Sequence, residues 1–210
     1  MLHSYLPEFL AVATLHMLAL MAPGPDFILT TRNSLVYGRK PAIFAAIGLA
    51  LGNGVHITYS LIGIGYIISK SILLFSALKF LGAGYLMFIG YKSLKAKPAA
   101  LDAGIQEHKT IGRLAAIKMG LLTNISNPKV TLFYFALFTQ VIHPFTPVGI
   151  KMLYGLEMCA ATFVWFALVA TLLSQNKVQA KFAKIQYKME KFMGAALILL
   201  GLKVALSKAK

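Results

Sequence analysis

The chain has 210 residues, of which 58% are hydrophobic and 13% charged, and its formal net charge is +15. Soluble domains carry a charged fraction of about 25%, so this composition indicates a membrane protein, and the length suits a single domain. The positive charge does not indicate nucleic-acid binding, because the basic residues lie in short loops between apolar runs and form no basic face interleaved with aromatics.

Six apolar segments approach the length of about 20 residues that a membrane-spanning helix needs. They cover residues 6–29, 43–68, 72–91, 114–138, 152–173 and 192–206. The first segment is preceded by no Lys or Arg, so it lacks the cationic region of a signal peptide and is expected to be retained. The sequence therefore predicts an all-α integral membrane protein with one polytopic domain, residues 1–210.

Lys and Arg are concentrated in the loops after the first, third and fifth segments, which hold three, six and five of them, fourteen of the 21 in the chain. These residues are Arg32, Arg39, Lys40, Lys92, Lys95, Lys97, Lys109, Arg113, Lys118, Lys177, Lys181, Lys184, Lys188 and Lys191. The positive-inside rule places these loops in the cytoplasm and both termini in the periplasm. Residues 92–113, with Pro98 and Gly104, are typical of a flexible cytoplasmic linker.

The two halves of the chain, residues 1–97 and 114–210, resemble each other. The run from Lys79 to Gly84 matches residues 191–196, and Pro25 and Pro128 fall at comparable places in the first and fourth segments. Because each half has three segments, a duplication gives two units of opposite orientation, an arrangement typical of secondary transporters. We therefore expect two inverted three-helix repeats, with helices one and four broken at proline motifs.

The two proline motifs are polar breaks inside apolar segments. The first runs through Pro23, Gly24, Pro25 and Asp26, and the second runs from Asn124 through Asn127 and Pro128 to Lys129. An unpaired charge in lipid costs about 3 kcal/mol or more, and a freed backbone group costs several. The two breaks are therefore predicted to face a polar cavity inside the helix bundle.

Further motifs occur in a set order along the six segments. They are Ala22-Pro23-Gly24-Pro25-Asp26, Arg32-Asn33-Ser34-Leu35, Gly38-Arg39, the second-helix residues Gly48, Gly52 and Asn53, and Gly120 leading to Asn124 and Asn127-Pro128-Lys129-Val130. Over essentially the whole chain this order resembles the LysE/RhtB type of amino-acid exporters. The resemblance implies efflux of amino acids or close derivatives across the bacterial inner membrane, driven by the proton gradient. No cofactor is expected.

An amino acid presents an ammonium and a carboxylate, so its carrier needs an acceptor for one and a donor for the other. Asp26 is a candidate acceptor for the ammonium. Lys129, with the amides freed at Pro128, is a candidate donor to the carboxylate, and the side-chain amides of Asn53, Asn124 and Asn127 can add hydrogen bonds. The alternative is that Asp26 and Lys129 only neutralise each other and hold the two halves together.

Other polar residues admit two interpretations each. Glu157 in the fifth segment is either a proton carrier or a residue at the outer interface. His16 and His56 are better explained as hydrogen-bonded packing residues than as proton relays. Arg32 and Arg39 are expected to anchor the cytoplasmic face, and Arg32 is near enough to Asp26 in sequence to gate it.

Gly48 and Gly52 form a small-residue face on the second helix that permits close helix packing. Packing within the chain is the favoured use of this face, and a homodimer contact is the alternative. No sequence feature decides between them.

Other classes of protein fit less well. An enzyme is not expected, because the chain lacks Gly-x-Ser-x-Gly and His-Glu-x-x-His motifs and its single Cys159 gives no thiol pair. A water pore would favour neutral amides where the two breaks carry charge. A metal or other inorganic ion exporter of similar design is the main alternative, although candidate ligands are thinly spread and no metal site is predicted.

Overall fold

The computed structural model of the chain describes residues 5–70, 72–95, 110–143 and 145–175, with scattered positions between 187 and 206. Seven helices are defined within these residues: α1 (Leu6–Met21), α2 (Pro25–Val36), α3 (Arg39–Lys70), α4 (Ile72–Lys95), α5 (Arg113–Ile125), α6 (Pro128–Gln140) and α7 (Val148–Leu173). The described positions between 187 and 206 are helical too. The prediction of an all-α protein is confirmed for this part of the chain.

Some of the sequence predictions concern residues outside the described ranges. They include most of the linker, residues 96–109, the lysines at positions 177, 181 and 184, and both chain ends. The flexible linker, and a loop at residues 176–186 after the fifth segment, therefore stay predictions.

The first apolar segment differs from its predicted form, because helix continues well beyond residue 29. After an interruption at residues 22–24, α2 runs from Pro25 to Val36. Thr30 Oγ1 donates to the Asp26 carbonyl at 2.8 Å, and Ser34 Oγ donates to the Thr30 carbonyl at 2.7 Å, so both buried hydroxyls are satisfied within the helix. Arg32 is exposed on this helix, so its assignment to a loop was wrong. The same correction applies to the other basic residues that were assigned to loops and are helical in the structure, namely Arg39, Lys40, Lys92, Lys95, Arg113, Lys118, Lys188 and Lys191.

The turn between α2 and α3 depends on glycine. Gly38 has φ of 80°, in the left-handed region that residues with a side chain rarely adopt. The turn sends the chain directly into α3, whose first residue is Arg39. α2 and α3 consequently pack side by side.

Two helices among the described residues are long and apolar enough to span a membrane, namely residues Arg39–Gly63 of α3 and all of α7. The pair α1 and α2, bent by 54° at its interruption, makes a third span if it is counted as one. Large apolar side chains on their outer surfaces are exposed, such as Ile28 at 64% and Ile62 at 69%. An apolar exterior, with charged and polar side chains such as Asp26 and Asn53 buried inside, suits a lipid environment.

α3 lies at the centre of the bundle and packs against α2, α4, α5, α6 and α7. Its closest neighbour is α5, because two glycines face each other across the contact. A Cβ atom added to Gly48 would overlap the Ile117 carbonyl, and one added to Gly120 would overlap the Ala45 carbonyl. The backbones of α3 and α5 approach this closely only because both positions lack a side chain.

The small-residue face of α3 is therefore used within the chain, as favoured from the sequence. At Gly52 an added Cβ would lie 2.6 Å from Asn124 Oδ1, so this position also packs on the fourth segment. Gly90 on α4 and Gly194 form a similar crossing, since a Cβ on either would lie 2.6 Å from the carbonyl oxygen of the other. Gly84 has open space beside it.

Contacts at one end of the bundle join the start of α1 to the loop between α6 and α7. Glu8 accepts hydrogen bonds from the His143 amide at 3.0 Å and from Thr146 Oγ1 at 2.9 Å. The Tyr154 hydroxyl on α7 donates to the Tyr5 carbonyl at 3.3 Å. These bonds close the end of the bundle opposite the α2–α3 turn.

Candidate functional site

The helix is interrupted within two of the apolar segments, and a proline begins the helix after each interruption. α1 ends at Met21 and α2 begins at Pro25, while α5 ends at Ile125 and α6 begins at Pro128. Proline suits the first helical position because it lacks the N–H that would be unpaired there. Each interruption leaves carbonyl groups of the first helix and amides of the second without their usual partners, so each needs hydrogen bonds from elsewhere.

Asp26 lies in the first turn of α2 and is only 7% exposed. Its two carboxylate oxygens accept hydrogen bonds from the second interruption, from Asn124 Nδ2 at 2.7 Å and from Asn127 Nδ2 at 3.0 Å. The positive end of the α2 dipole also favours the carboxylate. Asp26 therefore links the first interruption to the second.

Asn127 holds the start of α6 as well. Its side-chain Oδ1 accepts from the Lys129 amide at 3.0 Å, which is an N-cap hydrogen bond. Because its Oδ1 accepts from the Lys129 amide of α6 and its Nδ2 donates to Asp26 of α2, this one side chain positions the two breaks relative to each other.

Lys129 occupies the position in α6 that Asp26 occupies in α2, one residue after the proline. Its Nζ donates to the Ala19 carbonyl at 3.1 Å and also to the Ala22 carbonyl. These carbonyl groups lie at the end of α1, where the negative end of the helix dipole favours a cation. Gly24 leaves room for the lysine, since a Cβ there would lie 3.2 Å from Lys129 Cδ.

The two interruptions thus exchange partners. The Asp26 carboxylate at the first interruption accepts from the side-chain amides of Asn124 and Asn127 at the second. The Lys129 ammonium at the second interruption donates to backbone carbonyl groups at the first. We call this set of bonds, made by Asp26, Asn124, Asn127, Lys129 and the carbonyls of Ala19 and Ala22, the cross-brace.

A small cavity of about 30 Å³ lies beside the cross-brace. Its lining combines the polar and charged side chains of the breaks with apolar and aromatic ones. The residues that line it are His16, Ala19, Leu20, Ala22, Gly24, Asp26, Phe27, Asn53, Asn127, Lys129, Val130, Phe133, Tyr134 and Phe166. A single water needs about 10–15 Å³ on this measure, so the cavity has room for a few atoms and is closed to a whole amino acid.

A second polar cluster lines the same cavity around His16, which is 2% exposed. His16 Nε2 lies 3.3 Å from Asn53 Nδ2, 3.2 Å from the Tyr134 hydroxyl and 3.5 Å from Thr162 Oγ1. Asn53 Nδ2 also donates to Thr162 Oγ1, and Thr162 donates to the Met158 carbonyl at 2.8 Å. The cluster therefore ties α1, α3, α6 and α7 together.

His56 supports the second interruption from behind. Its Nε2 lies 2.9 Å from the carbonyl oxygen of Asn124 at the end of α5, which also accepts from the Asn127 amide at 2.9 Å. Its Nδ1 contacts the Tyr59 hydroxyl, and its ring stacks on Tyr134 with the centroids 6.1 Å apart. His56 is thus a hydrogen-bonded packing residue, as the sequence suggested.

The residues predicted for the site are distributed unevenly. The cavity is lined by Asp26, Lys129, Asn53 and Asn127. Asn124 does not line it, but it donates a hydrogen bond to Asp26, which does. Pro23 lies in the interruption before α2, and Pro25 and Pro128 begin α2 and α6.

Three candidates lie away from the cavity. Glu157 is on α7, and its Oε2 is buried without a hydrogen-bond partner among the described residues. Arg32 is exposed and stands over the Tyr37 ring at 5.8 Å, and Arg39 is exposed at the start of α3. Neither arginine reaches Asp26 by any contact in the described part of the chain.

Sequence reasoning missed Tyr134, Thr162 and Phe166 and assigned His16 to packing alone. Tyr134 and Phe166 lie in apolar stretches where an aromatic residue is ordinary. The available signal was His16, a lone imidazole ten residues before Asp26 on an apolar helix. Within the described residues there is no group of three or more His, Cys, Asp or Glu side chains placed to hold a metal ion.

The chain matches the family model described as LysE type translocator over residues 17–208. It is 30% identical over 206 residues to the threonine efflux protein of Salmonella typhi, an alignment that covers 95% of this chain and 98% of that protein. It is 30% identical over 182 residues to the homoserine/homoserine lactone efflux protein of Salmonella typhimurium, with coverage of 86% and 87%. It is also 29% identical over 208 residues to the membrane protein YrhP of Bacillus subtilis, with coverage of 95% and 99%. No solved structure matches the chain.

Proposed function

The chain belongs to the LysE-type translocator family, and from this premise we propose that it is a secondary transporter exporting amino acids or close derivatives across the bacterial inner membrane. The relatives named for threonine efflux and for homoserine efflux support this class of substrate. The cross-brace is the single observation that carries the proposal, because it puts a buried carboxylate and a half-buried ammonium beside one small cavity.

The proposed architecture has six spans in two inverted repeats. α1 with α2 forms the first span and α5 with α6 the fourth, so that each repeat starts with a broken helix. α3, α4, α7 and the helical residues between 187 and 206 make up the other four. The exchange of partners between the two breaks supports this arrangement, since Asp26 and Lys129 occupy equivalent positions and each binds the opposite break. Both termini are periplasmic in this proposal.

Substrate binds by replacing bonds of the cross-brace. The ammonium of the amino acid takes the place of the Asn124 and Asn127 amides at Asp26, and the carboxylate takes the place of the Ala19 and Ala22 carbonyls at Lys129. After each exchange both charges still have a partner, which is essential where an unpartnered buried charge costs several kcal/mol. Because the cross-brace joins the two repeats, its exchange for substrate frees them to move and open the cavity.

Proton antiport is the proposed coupling. A carboxylate that binds the substrate ammonium on one side of the membrane can bind a proton on the other, and it cannot hold both at once. Asp26 meets this requirement in the proposal, and Glu157 on α7 is a second carboxyl available for the proton. Export and proton entry then alternate at one site.

Efflux from proteoliposomes tests the proposal. The purified chain, reconstituted with a labelled amino acid inside, should release at least one member of a panel faster than protein-free liposomes. An inward proton gradient should accelerate release, and a protonophore should abolish that acceleration. If no amino acid in the panel is released faster while a divalent metal ion is, the exporter proposal fails in favour of the metal alternative. If release is faster than from protein-free liposomes but does not change with the proton gradient, only the proposed proton antiport is refuted.

A further inference from the structure

One side of α2 carries a line of buried polar side chains that runs away from the cavity. Asp26, Thr30 and Ser34 are spaced four residues apart and Asn33 lies beside them, so all four share one side of the helix. Thr30, Asn33 and Ser34 are 0% exposed and Asp26 is 7% exposed. We call these four residues the polar stripe.

The polar stripe leads from the cavity to one end of the bundle. A helix rises about 1.5 Å per residue, so Tyr37, which follows α2, lies about 16 Å along the axis from Asp26. This distance is about half the hydrocarbon thickness of a membrane, which is about 30 Å. Arg32 stands over the Tyr37 ring there, and the chain turns into α3. This end of the bundle is cytoplasmic in the proposed topology.

Hydrogen bonding between helices does not explain the polar stripe beyond Asp26. A hydroxyl has one proton, and Thr30 and Ser34 donate theirs to carbonyl groups of α2 itself, at 2.8 and 2.7 Å. Asn33 Nδ2 donates to the Met119 sulfur on α5, a weak acceptor, at 3.7 Å. Asn33 Oδ1 is buried and has no hydrogen-bond partner among the described residues. These side chains therefore contribute little to holding α2 against its neighbours.

Buried polar groups are unfavourable inside a membrane protein, and they typically mark the paths of substrates or ions. α2 packs against α3, α5 and α7, and these helices cover the polar stripe in this structure. We propose that Thr30, Asn33 and Ser34 line the path by which an amino acid reaches Asp26 from the cytoplasm. Their oxygens accept from the ammonium of the passing amino acid, and the Asn33 amide donates to its carboxylate. The inference rests on the proposed function, to which it adds the route of entry.

Cysteine accessibility tests the path. In a Cys159→Ala background, Asn33→Cys and Ser34→Cys each place a single thiol on the polar stripe, and Ile28→Cys places one on the opposite, exposed side of α2. Inside-out membrane vesicles are treated with a charged, membrane-impermeant methanethiosulfonate, and the remaining thiols are then measured. The stripe thiols should react about tenfold faster than the Ile28→Cys thiol, because even a minor open state brings water to the stripe, whereas lipid covers position 28. Lys40→Cys, exposed at the start of α3, should react at once and shows that the reagent is active.

The outcomes separate this inference from the proposed function. Stripe thiols no more reactive than the Ile28→Cys thiol would overturn the inference, whether or not amino acids are exported. Stripe thiols that react faster from the periplasmic side, in intact cells, would also overturn it. Reactive stripe thiols in a protein that accelerates the efflux of no amino acid would support a water-accessible path and overturn the proposed function instead.

Removal of one hydroxyl distinguishes a path from packing. Thr30→Val replaces the hydroxyl with a methyl group of similar size. Thr58→Val is the matched control, because Thr58 also donates to a carbonyl four residues earlier, at 2.7 Å, but is exposed on α3. Bonds of this kind add little to the stability of a helix, so both variants should keep the parent midpoint of thermal unfolding.

Efflux from proteoliposomes is measured with the amino acid that the parent chain releases fastest. Thr30→Val should slow this efflux about tenfold, the effect of one lost hydrogen bond, and Thr58→Val should leave it unchanged. Equal efflux from the two variants would refute the role of Thr30 in the path. A slower efflux from Thr30→Val that is matched by a lower midpoint of thermal unfolding would assign Thr30 to packing and refute its role as well.

Discussion

The hydrogen bonds of Asp26 give the most direct test of the cross-brace. In Asp26→Asn, one side-chain oxygen is replaced by an amide nitrogen, which then faces the amide of Asn124 or Asn127. One charge-assisted hydrogen bond is lost, at about 1.5–3 kcal/mol. Neutral bonds between helices in membranes contribute only about 0.6 kcal/mol, so we expect a loss near 2–3 kcal/mol, because the donor left unpaired adds to the cost.

A loss of this size should lower the midpoint of thermal unfolding by about 5–10 °C for a chain of 210 residues. The single cysteine supplies the assay. Cys159 is partly buried on α7, so a thiol-reactive fluorescent dye reports unfolding of the detergent-solubilised protein without further engineering. Asp26→Asn and the parent are compared in the same detergent.

Exchanging Asp26 and Asn124 separates the contribution of the carboxylate to stability from its contribution to transport. The double variant that combines Asp26→Asn with Asn124→Asp restores a hydrogen bond between a carboxylate and an amide at the 2.7 Å contact. It moves the negative charge from the first interruption to the second. This double variant should recover at least half of the lost thermal stability. Efflux should stay low, since the proposal needs the carboxylate at position 26. Asn124→Asp alone should be the least stable of the set, because it places two carboxylates together.

Three results would refute the reasoning. An unchanged midpoint for Asp26→Asn would mean that the cross-brace contributes little to stability. A double variant no more stable than Asp26→Asn would mean that Asp26 and Asn124 do not act as a pair. Parent-like efflux from the double variant would remove the direct transport role of Asp26 and favour purely structural pairing.

Two further predictions concern packing and topology. Gly120→Ala should destabilise the fold by about 2–3 kcal/mol, because the added Cβ overlaps the α3 backbone. Gly84→Ala, with open space beside it, should be neutral or slightly stabilising. Equal midpoints of thermal unfolding for the two variants would contradict the α3–α5 contact. A periplasm-active phosphatase fused to Lys210 should be active and a fluorescent protein that matures only in the cytoplasm should be dark there, since fourteen of the 21 Lys and Arg lie in or near the connections that follow the odd-numbered segments. The reverse pattern would contradict the periplasmic placement of the C-terminus.

Properties that depend on neighbouring residues could be read from the sequence. Apolar composition identifies a membrane protein, because lipid excludes charge over any spanning length. The proline motifs predict where helices begin, and α2 and α6 do start at Pro25 and Pro128, since proline lacks an N–H and suits a first turn. The extent of α2 was not predicted, because its polar residues Thr30 and Ser34 bond within the helix and look like loop residues in the sequence.

Only the tertiary structure decided which groups meet. Asp26 binds amides that are 98 and 101 residues away, and Lys129 binds a carbonyl 110 residues away. The sequence supplied the opposite charges but could not show that each binds the neutral groups of the opposite break. His16 and Tyr134 were assigned no role in the site for the same reason, since an imidazole or a phenol on an apolar helix acquires its surroundings only when four helices pack around it. Local bonding rules set the ends of helices, whereas the chemistry of the cavity arises from contacts that no short stretch of sequence encodes.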